Sequence, residues 1–210
     1  MPSDPEPQVA RAARHPGGNI TGFSTGFFSV PGKLLQMLVQ ITPPVARAAI
    51  LFNPETTPYA DPLIRAIEEA AQPLAIAVRT APANSVSEVE VMMAEFAHEE
   101  RCGLVVLPSV FVVTHRDIII SCAARLHLPA VYPFAFFAAD GGLIAYGIDL
   151  TDVHRRSAQY VDRILRGERA ADLPVQQSTK YELAINLKTA RALDVTIAPS
   201  LLATADEVIE

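Results

Sequence analysis

The sequence predicts an α/β chain, a three-layer sandwich of one parallel sheet with helices on both faces. Three observations predict it. Continuous apolar runs at Ala48–Phe52, Gly103–Leu107 and Ala130–Tyr132 suit strands buried on both faces. Each run closes on a polar or proline-containing turn: Asn53-Pro-Glu-Thr-Thr57, Pro108-Ser109 and Pro133-Phe134. Helical patterns then follow, and a β-α-β-α order favours parallel strands joined by crossover helices.

The elements justify themselves in order. Met1 to Gln8 holds three prolines and reads as an extended lead-in. His15 to Gly22 is a turn-rich loop, and Ile20–Phe28 forms a short strand. Leu34, Leu35, Leu38 and Ile41 share one helix face, with Pro31 in the first turn. After the Ala48–Phe52 strand, a helix runs through Ile64, Ile67 and Ala71, and Ile76–Thr80 is the next strand. Ser87 with Glu90 matches a capping box for a helix whose apolar face carries Val89, Met92, Met93 and Phe96. A helix over Arg116–Leu126 follows the Gly103–Leu107 strand. Leu143–Tyr146 follows the turn at Asp140-Gly-Gly142. Thr151 caps a helix that stops at Gly167. Leu173–Glu182 is polar and broken by proline. Leu183–Leu187 is a strand, a helix reaches Leu193, and Pro199–Glu210 ends in a short helix.

Composition narrows the function. The chain has 210 residues, half of them hydrophobic, so it buries a sizeable core in one large domain or two lobes. A formal charge of −6 argues against a nucleic-acid surface. The densest basic cluster, Arg155, Arg156, Arg163, Arg166 and Arg169, is interleaved with Asp162 and Glu168 and reads as a solvated face. Cys102 and Cys122 read as buried free thiols. The amino terminus lacks the basic start and apolar run of a secretory signal, which places the protein in the cytoplasm if Met1 is the true start.

Catalytic signatures are missing. There is no Gly-x-Ser-x-Gly elbow, no phosphate-binding Gly-x-x-x-x-Gly-Lys-Ser/Thr and no dinucleotide Gly-x-Gly-x-x-Gly. The five histidines show no paired ligand spacing, so neither a metal nor a cofactor is expected. What remains are polar groups at strand ends, where open parallel sheets bind small molecules. The candidates for holding a ligand are Asn53, Glu55 and Thr57 after the first of the regular strands, Ser109 after the third, Tyr132 and Phe134 after the fourth, and Tyr146 and Asp149 after the fifth. Competing structural roles stand beside them: an Asx turn for Asn53, core packing for the aromatics, a helix cap for Asp149. A convergent catalytic group at Asp149, His154 or Cys122 is the alternative for an enzyme.

Several longer segments carry a resemblance. They are Arg14-His-Pro-Gly-Gly-Asn-Ile-Thr-Gly22, Ala49-Ile-Leu-Phe-Asn-Pro54 and Leu128-Pro-Ala-Val-Tyr-Pro-Phe134, then Gly141–Asp149 and Arg155–Gly167. The run Ala171–Ala190 and the ending Pro199–Glu210 are the most specific. From about Arg14 onward the chain resembles ABC transporter substrate-binding proteins of the tryptophan and aromatic-amino-acid type, which have the type I periplasmic-binding-protein fold. The resemblance implies two lobes, with a small-molecule solute held between them, delivery to an ABC permease, a periplasmic location and no catalysis. It divides the chain into a lead-in at 1–14, a remnant of the first lobe and crossover at 15–30, one complete lobe at 31–150, and a crossover helix returning to the first lobe at 151–210. Ser24 joins the ligand-facing residues on this basis. Most of the family's first lobe is absent, and the apolar surface this leaves predicts a homodimer or oligomer. A cytoplasmic small-molecule-sensing domain, or a self-associating one-lobe relative, is the alternative function.

Overall fold

The computed structural model describes residues 18–24, 30–42 and 44–210. The lead-in at 1–14, His15 at the head of the first loop and residues 25–28 of the expected Ile20–Phe28 strand lie outside those residues. In chain order the elements are β1 (Phe23–Ser24), α1 (Pro31–Leu38), β2 (Ile41–Thr42), β3 (Arg47–Phe52), α2 (Ala60–Ala71), β4 (Ala77–Pro82) and α3 (Val86–Ala97). Then come β5 (Cys102–Val106), α4 (Val110–Thr114), α5 (Arg116–Arg125), β6 (Ala130–Tyr132), α6 (Ala135–Ala139), β7 (Ile144–Ile148) and α7 (Leu150–Leu165). The last are β8 (Gln176–Gln177), β9 (Tyr181–Asn186), α8 (Leu187–Ala192), β10 (Thr196–Ile197), α9 (Pro199–Leu202) and β11 (Glu207–Ile209).

The chain divides into two compact units, with boundaries at Gly147/Ile148 and Tyr181/Glu182. The larger is built on a seven-stranded sheet ordered β11-β9-β7-β6-β5-β3-β4. From β4 to β7 every pairing is parallel, with Leu51 opposite Val106 and Val105 opposite Val131. The central strands β5 and β6 are buried at every residue, as continuous apolar runs require. Helix α1 packs on α2 and against β5 and β6, while α3 packs on α5 and against β5. Leu34, Leu35, Leu38, Ile50, Leu63 and Ile67 are fully buried. At about 25 cal/mol per Å² of apolar surface, such side chains each contribute roughly 1.5–3 kcal/mol.

Two features of this sheet depart from the sequence reading. Leu183–Leu193 does not return to another lobe: β9 lies beside β7 in the same sheet. It also runs the other way, because Asn186 N–H donates to Leu143 O at one end while Asp149 N–H donates to Lys180 O at the other. The sheet is therefore mixed, with β9 and β11 parallel to each other and reversed against the other five. The tail then makes α9 and a further strand, β11, rather than one terminal helix. Alternation in so short a stretch as Glu207–Ile209 carries too little signal to separate strand from helix.

Cap positions shift as well. The α3 box is Ser85 with Glu88, two residues earlier than expected: Glu88 N–H donates to Ser85 Oγ at 3.3 Å and Asn84 N–H to Glu88 Oε2 at 2.9 Å. Helix α7 is capped by Asp149, not Thr151, with Asp152 N–H donating to Asp149 Oδ1 at 2.9 Å. Helix α1 ends at Leu38, and Ile41 begins β2, which pairs antiparallel with β10.

The smaller unit holds residues 18–24 with Ile148–Tyr181. Its β1 and β8 pair in parallel, Phe23 opposite Gln176 and Ser24 opposite Gln177. Helix α7 lays Tyr160 against Phe23, with ring centroids 5.0 Å apart, and Tyr160 Oη donates to Pro174 O at 2.8 Å. The arginines of this helix are largely ion-paired: Arg166 with Asp162 at 3.0 Å, Arg163 with Glu168, and Arg155 and Arg156 with Asp152.

Candidate functional site

In the larger unit, β3 is the first parallel strand in sequence, and the chain adds β4 on one side and β5 on the other. The strand order reverses between β3 and β5, which is where open α/β sheets leave a crevice beyond the carboxyl ends. The loops at that point carry Asn53, Glu55, Thr57 and Ser109. The structure brings these four to neighbouring strand ends, tied by Leu107 N–H donating to Leu51 O at 2.9 Å.

Their local roles differ. Asn53 is 2% exposed. Its Nδ2 donates to Ala83 O at 2.9 Å, and its Oδ1 accepts from Thr56 N–H at 2.8 Å and from Thr56 Oγ1 at 2.9 Å. It is thus an Asx turn that also bolts the β3 loop to the end of β4. Glu55 and Thr56 are exposed at the tip. Thr57 is 1% exposed, and its hydroxyl is the buried side-chain oxygen of the larger unit that lacks a hydrogen-bond partner among the described residues. Ser109 caps α4, its Oγ accepting from Val112 N–H at 3.2 Å. Beside it, Val110 is 73% exposed and Phe111 half-buried against His115. Sequence reasoning missed Tyr59, whose hydroxyl donates to Pro108 O at 3.3 Å and clamps the β3 loop to the β5 loop. Its place directly after Pro58, at the start of α2, was the available signal.

The remaining candidates lie elsewhere. Tyr132 is 1% exposed, stacked on Phe137 at 5.1 Å. Burial pushes its phenol pKa up, with Cys122 adding to the shift. This is the core reading of that residue. Phe134 is buried in a stack with Phe136 and Phe137. Tyr146 lines a separate cavity. Ser24 and Asp149 belong to the smaller unit. Ser24 is the exposed last residue of β1. Asp149, 3% exposed, caps α7 and accepts from Lys180 Nζ at 2.6 Å. That buried carboxylate is committed to structure. Ser178, just past β8, is 4% exposed with an unpartnered hydroxyl among the described residues. The polar stretch around it hid a two-residue strand from pattern reading. Among the described residues, each unit therefore keeps one buried, unpartnered hydroxyl beyond the carboxyl end of a strand.

Neither thiol is poised for chemistry. Cys122 is 1% exposed on α5. Cys102 is 6% exposed, and burial, reinforced by Glu99, pushes its thiol from 9.0 up to about 11. The folded state thus keeps this proton where the unfolded chain releases it. Stability conferred by the protonated thiol is full below about pH 9 and is lost as pH rises toward 11. Urea titrations across that window should show the decline in the parent protein and a shallower one in Cys102→Ala; equal slopes would mean the thiol is not buried in this way.

No group of three His, Cys, Asp or Glu suited to a metal occurs among the described residues, and no helix among them is long and apolar enough to cross a membrane.

Comparison with known proteins adds the following. The family model for ABC transporter substrate binding proteins matches residues 8–209. The chain is similar to a tyrosine-binding protein of Clostridioides difficile (strain R20291), 22% identical over 195 residues that make up 92% of this chain and 55% of that protein. It thus spans about half the length of that relative. Among solved structures it resembles an ABC domain in complex with L-Trp from Streptococcus pneumonia, with TM-score 0.79, 21% identity, and coverage of 94% of this chain and 67% of the other. A conserved domain protein from Vibrio cholerae gives TM-score 0.80 at 23% identity, covering 94% and 66%. The ligand-free, open structure of a substrate binding protein with adhesive properties from Clostridium difficile gives 0.65 at 20% identity, covering 99% and 68%. These likenesses show the α/β fold of type I periplasmic binding proteins.

Proposed function

The chain belongs to the ABC transporter substrate-binding protein family, and on that premise we propose that it binds a small solute for an ABC-type uptake system, without catalysis. The solute is an amino acid with an aromatic side chain, the class named for the tyrosine-binding relative and for the L-Trp complex. It is held outside the cytoplasm and passed to a membrane permease.

One observation carries the site: the loops after β3 and β5 meet at the point where strand order reverses, and two cross-links, Asn53 to Ala83 and Tyr59 to Pro108, hold them in place. Loops fixed in advance lose little entropy on binding. Exposed Val110 and half-buried Phe111 offer apolar contact to an aromatic ring. The Thr57 hydroxyl, buried in the loop after β3, is a hydrogen-bonding group with its capacity unspent among the described residues. Residues 31–150 supply this site. In the smaller unit taken by itself, Ser24 and Ser178 are the candidate ligand-binding groups, and self-association of the chain is part of the same proposal.

The test uses the fact that the chain contains no tryptophan. The fluorescence of added L-Trp, selectively excited, therefore reports its own binding. Saturable binding, competed by L-Tyr, is expected. Thr57→Val should weaken it about tenfold, as loss of one buried hydrogen bond to a ligand implies. The same variant should be as stable as the parent or more so, by up to about 1 kcal/mol, because it removes an unpaired buried hydroxyl. If neither amino acid binds, the proposed solute class is wrong; if Thr57→Val binds normally, the site lies elsewhere.

A further inference from the structure

Helix α7 has two stripes, and its own unit uses one of them. Tyr160 packs on Phe23 and Arg156 lies over the same ring, with Val153 and Ser157 half-buried on that side. About a third of a turn round the helix, His154, Ala158, Val161 and Leu165 are all exposed. Val161 is 56% and Leu165 81% exposed. Their spacing of four, three and four residues is the heptad spacing of a helix that pairs with another helix. The geometry points to an antiparallel pair of α7 helices, one from each of two copies of this chain, related by a two-fold axis. Self-association belongs to the function proposed above; the stripe gives it a surface and an orientation, and rests on that reading.

Charge selects a second copy as the occupant. In an antiparallel pair, Ala158 meets the second copy's Val161 at the centre, and Leu165 lies over the second copy's His154 at each end. Arg155 and Asp162, both exposed, flank the stripe on one side, seven residues apart. Antiparallel pairing sets Arg155 against the second copy's Asp162, and the two-fold axis makes that contact twice. A parallel pair would set Asp162 against Ser157 and Arg155 against Leu150, so no opposite charges would meet. Both groups have partners on their own helix. Arg155 lies 3.9 Å from Asp152, and Asp162 accepts from Arg166 Nε at 3.0 Å through Oδ1. These are surface pairs of small individual worth, so they do not hold either group back from an oppositely charged neighbour. A contact made by one helix from each copy is smaller than a standard interface of about 1,200–2,000 Å². The dimer is therefore reversible, with a dissociation constant on the order of 10 μM.

The test is sedimentation equilibrium of the full chain from about 1 to 500 μM, which brackets that constant. A monomer–dimer equilibrium is expected, with nothing larger, because a two-fold contact closes at two copies. Val161→Glu and Leu165→Glu should each weaken it about thirtyfold or more, with unfolding temperatures close to the parent's because both positions are exposed. Asp162→Arg should weaken it about tenfold, by setting two pairs of like charges together. Arg155→Asp combined with Asp162→Arg should recover the parent's affinity to within a few-fold. That double exchange does not rebuild the Asp162–Arg166 pair, so recovery reads the contact between copies. A parent chain that stays monomeric would overturn the α7 pair and self-association together. Dimers that persist in both glutamate variants, or assemblies beyond the dimer, would place self-association on another surface and overturn the α7 pair alone. Loss in Asp162→Arg without recovery in the double exchange would overturn the antiparallel geometry. L-Trp binding by the same samples reports separately on the solute reading.

Discussion

Gly147→Ala is expected to destabilise the protein by about 3 kcal/mol or more, or by roughly 6–12 °C in unfolding temperature for a chain of this size. Gly147 lies in β7 beside the end of β6, where an added Cβ would stand 1.7 Å from Pro133 O and 2.8 Å from Pro133 C. Both obstacles are backbone atoms, so no rotamer change relieves the clash and the two strands must separate. Gly147 has no positive φ, and the cost is therefore steric rather than conformational. Gly167 provides the contrast. It ends α7 at φ +101° with nothing within 4 Å of its would-be Cβ, and Gly167→Ala should cost only about 1 kcal/mol. Urea denaturation of the two variants tests the difference; similar costs would mean that β6 and β7 do not approach as closely as described.

Asn53→Ala should cost about 2–4 kcal/mol, and weaken solute binding as well. The side chain makes three hydrogen bonds at 2% exposure, so its removal strips the designated partners from Ala83 O and from the Thr56 amide in a place water does not reach freely. Asn53→Asp separates the roles. A carboxylate still accepts from Thr56 but cannot donate to Ala83 O, so it keeps the turn while breaking the bolt to β4. Denaturation measures the cost, and amide hydrogen exchange at Thr56 should quicken in Asn53→Ala but not in Asn53→Asp. An Asn53→Ala protein of parental stability would show that the loop is held by other means.

The central sheet was legible because its strands are short, wholly apolar and bounded by turn residues. Cys102–Val106 and Ala130–Tyr132 have no competing helical period. The reversed edge was not legible: β9 carries the same apolar character in either direction, and only a backbone register distinguishes parallel from antiparallel. Ser87 was put forward where Ser85 holds the cap, and of the two candidates Thr151 and Asp149 the second holds it, since backbone dihedrals decide which side chain accepts the helix amides. Asn53, Thr57 and Ser109 were legible as strand-end polar groups, and two of them also carry the local roles that such positions invite, an Asx turn for Asn53 and a helix cap for Ser109. Tyr132 was placed among the ligand candidates with core packing as its competing role, and it lies in the core because a tyrosine's apolar body packs there as readily as against a solute. Ser178 escaped because a two-residue polar strand has no pattern to read.

The smaller unit's long segment leaves the larger one through β7 and comes back through β9, and its two ends are one hydrogen bond apart, Asp149 N–H to Lys180 O at 3.0 Å. In polymer terms the excursion is an insertion closed at its neck. The entropy of closing such a loop grows only logarithmically with its length, by about 0.6 kcal/mol per doubling. Evolution is thereby free to lengthen, shorten or replace what lies between Asp149 and Lys180 at little thermodynamic cost to the seven-stranded sheet, which makes the neck of this insertion the natural seam along which descendants of the chain would diverge.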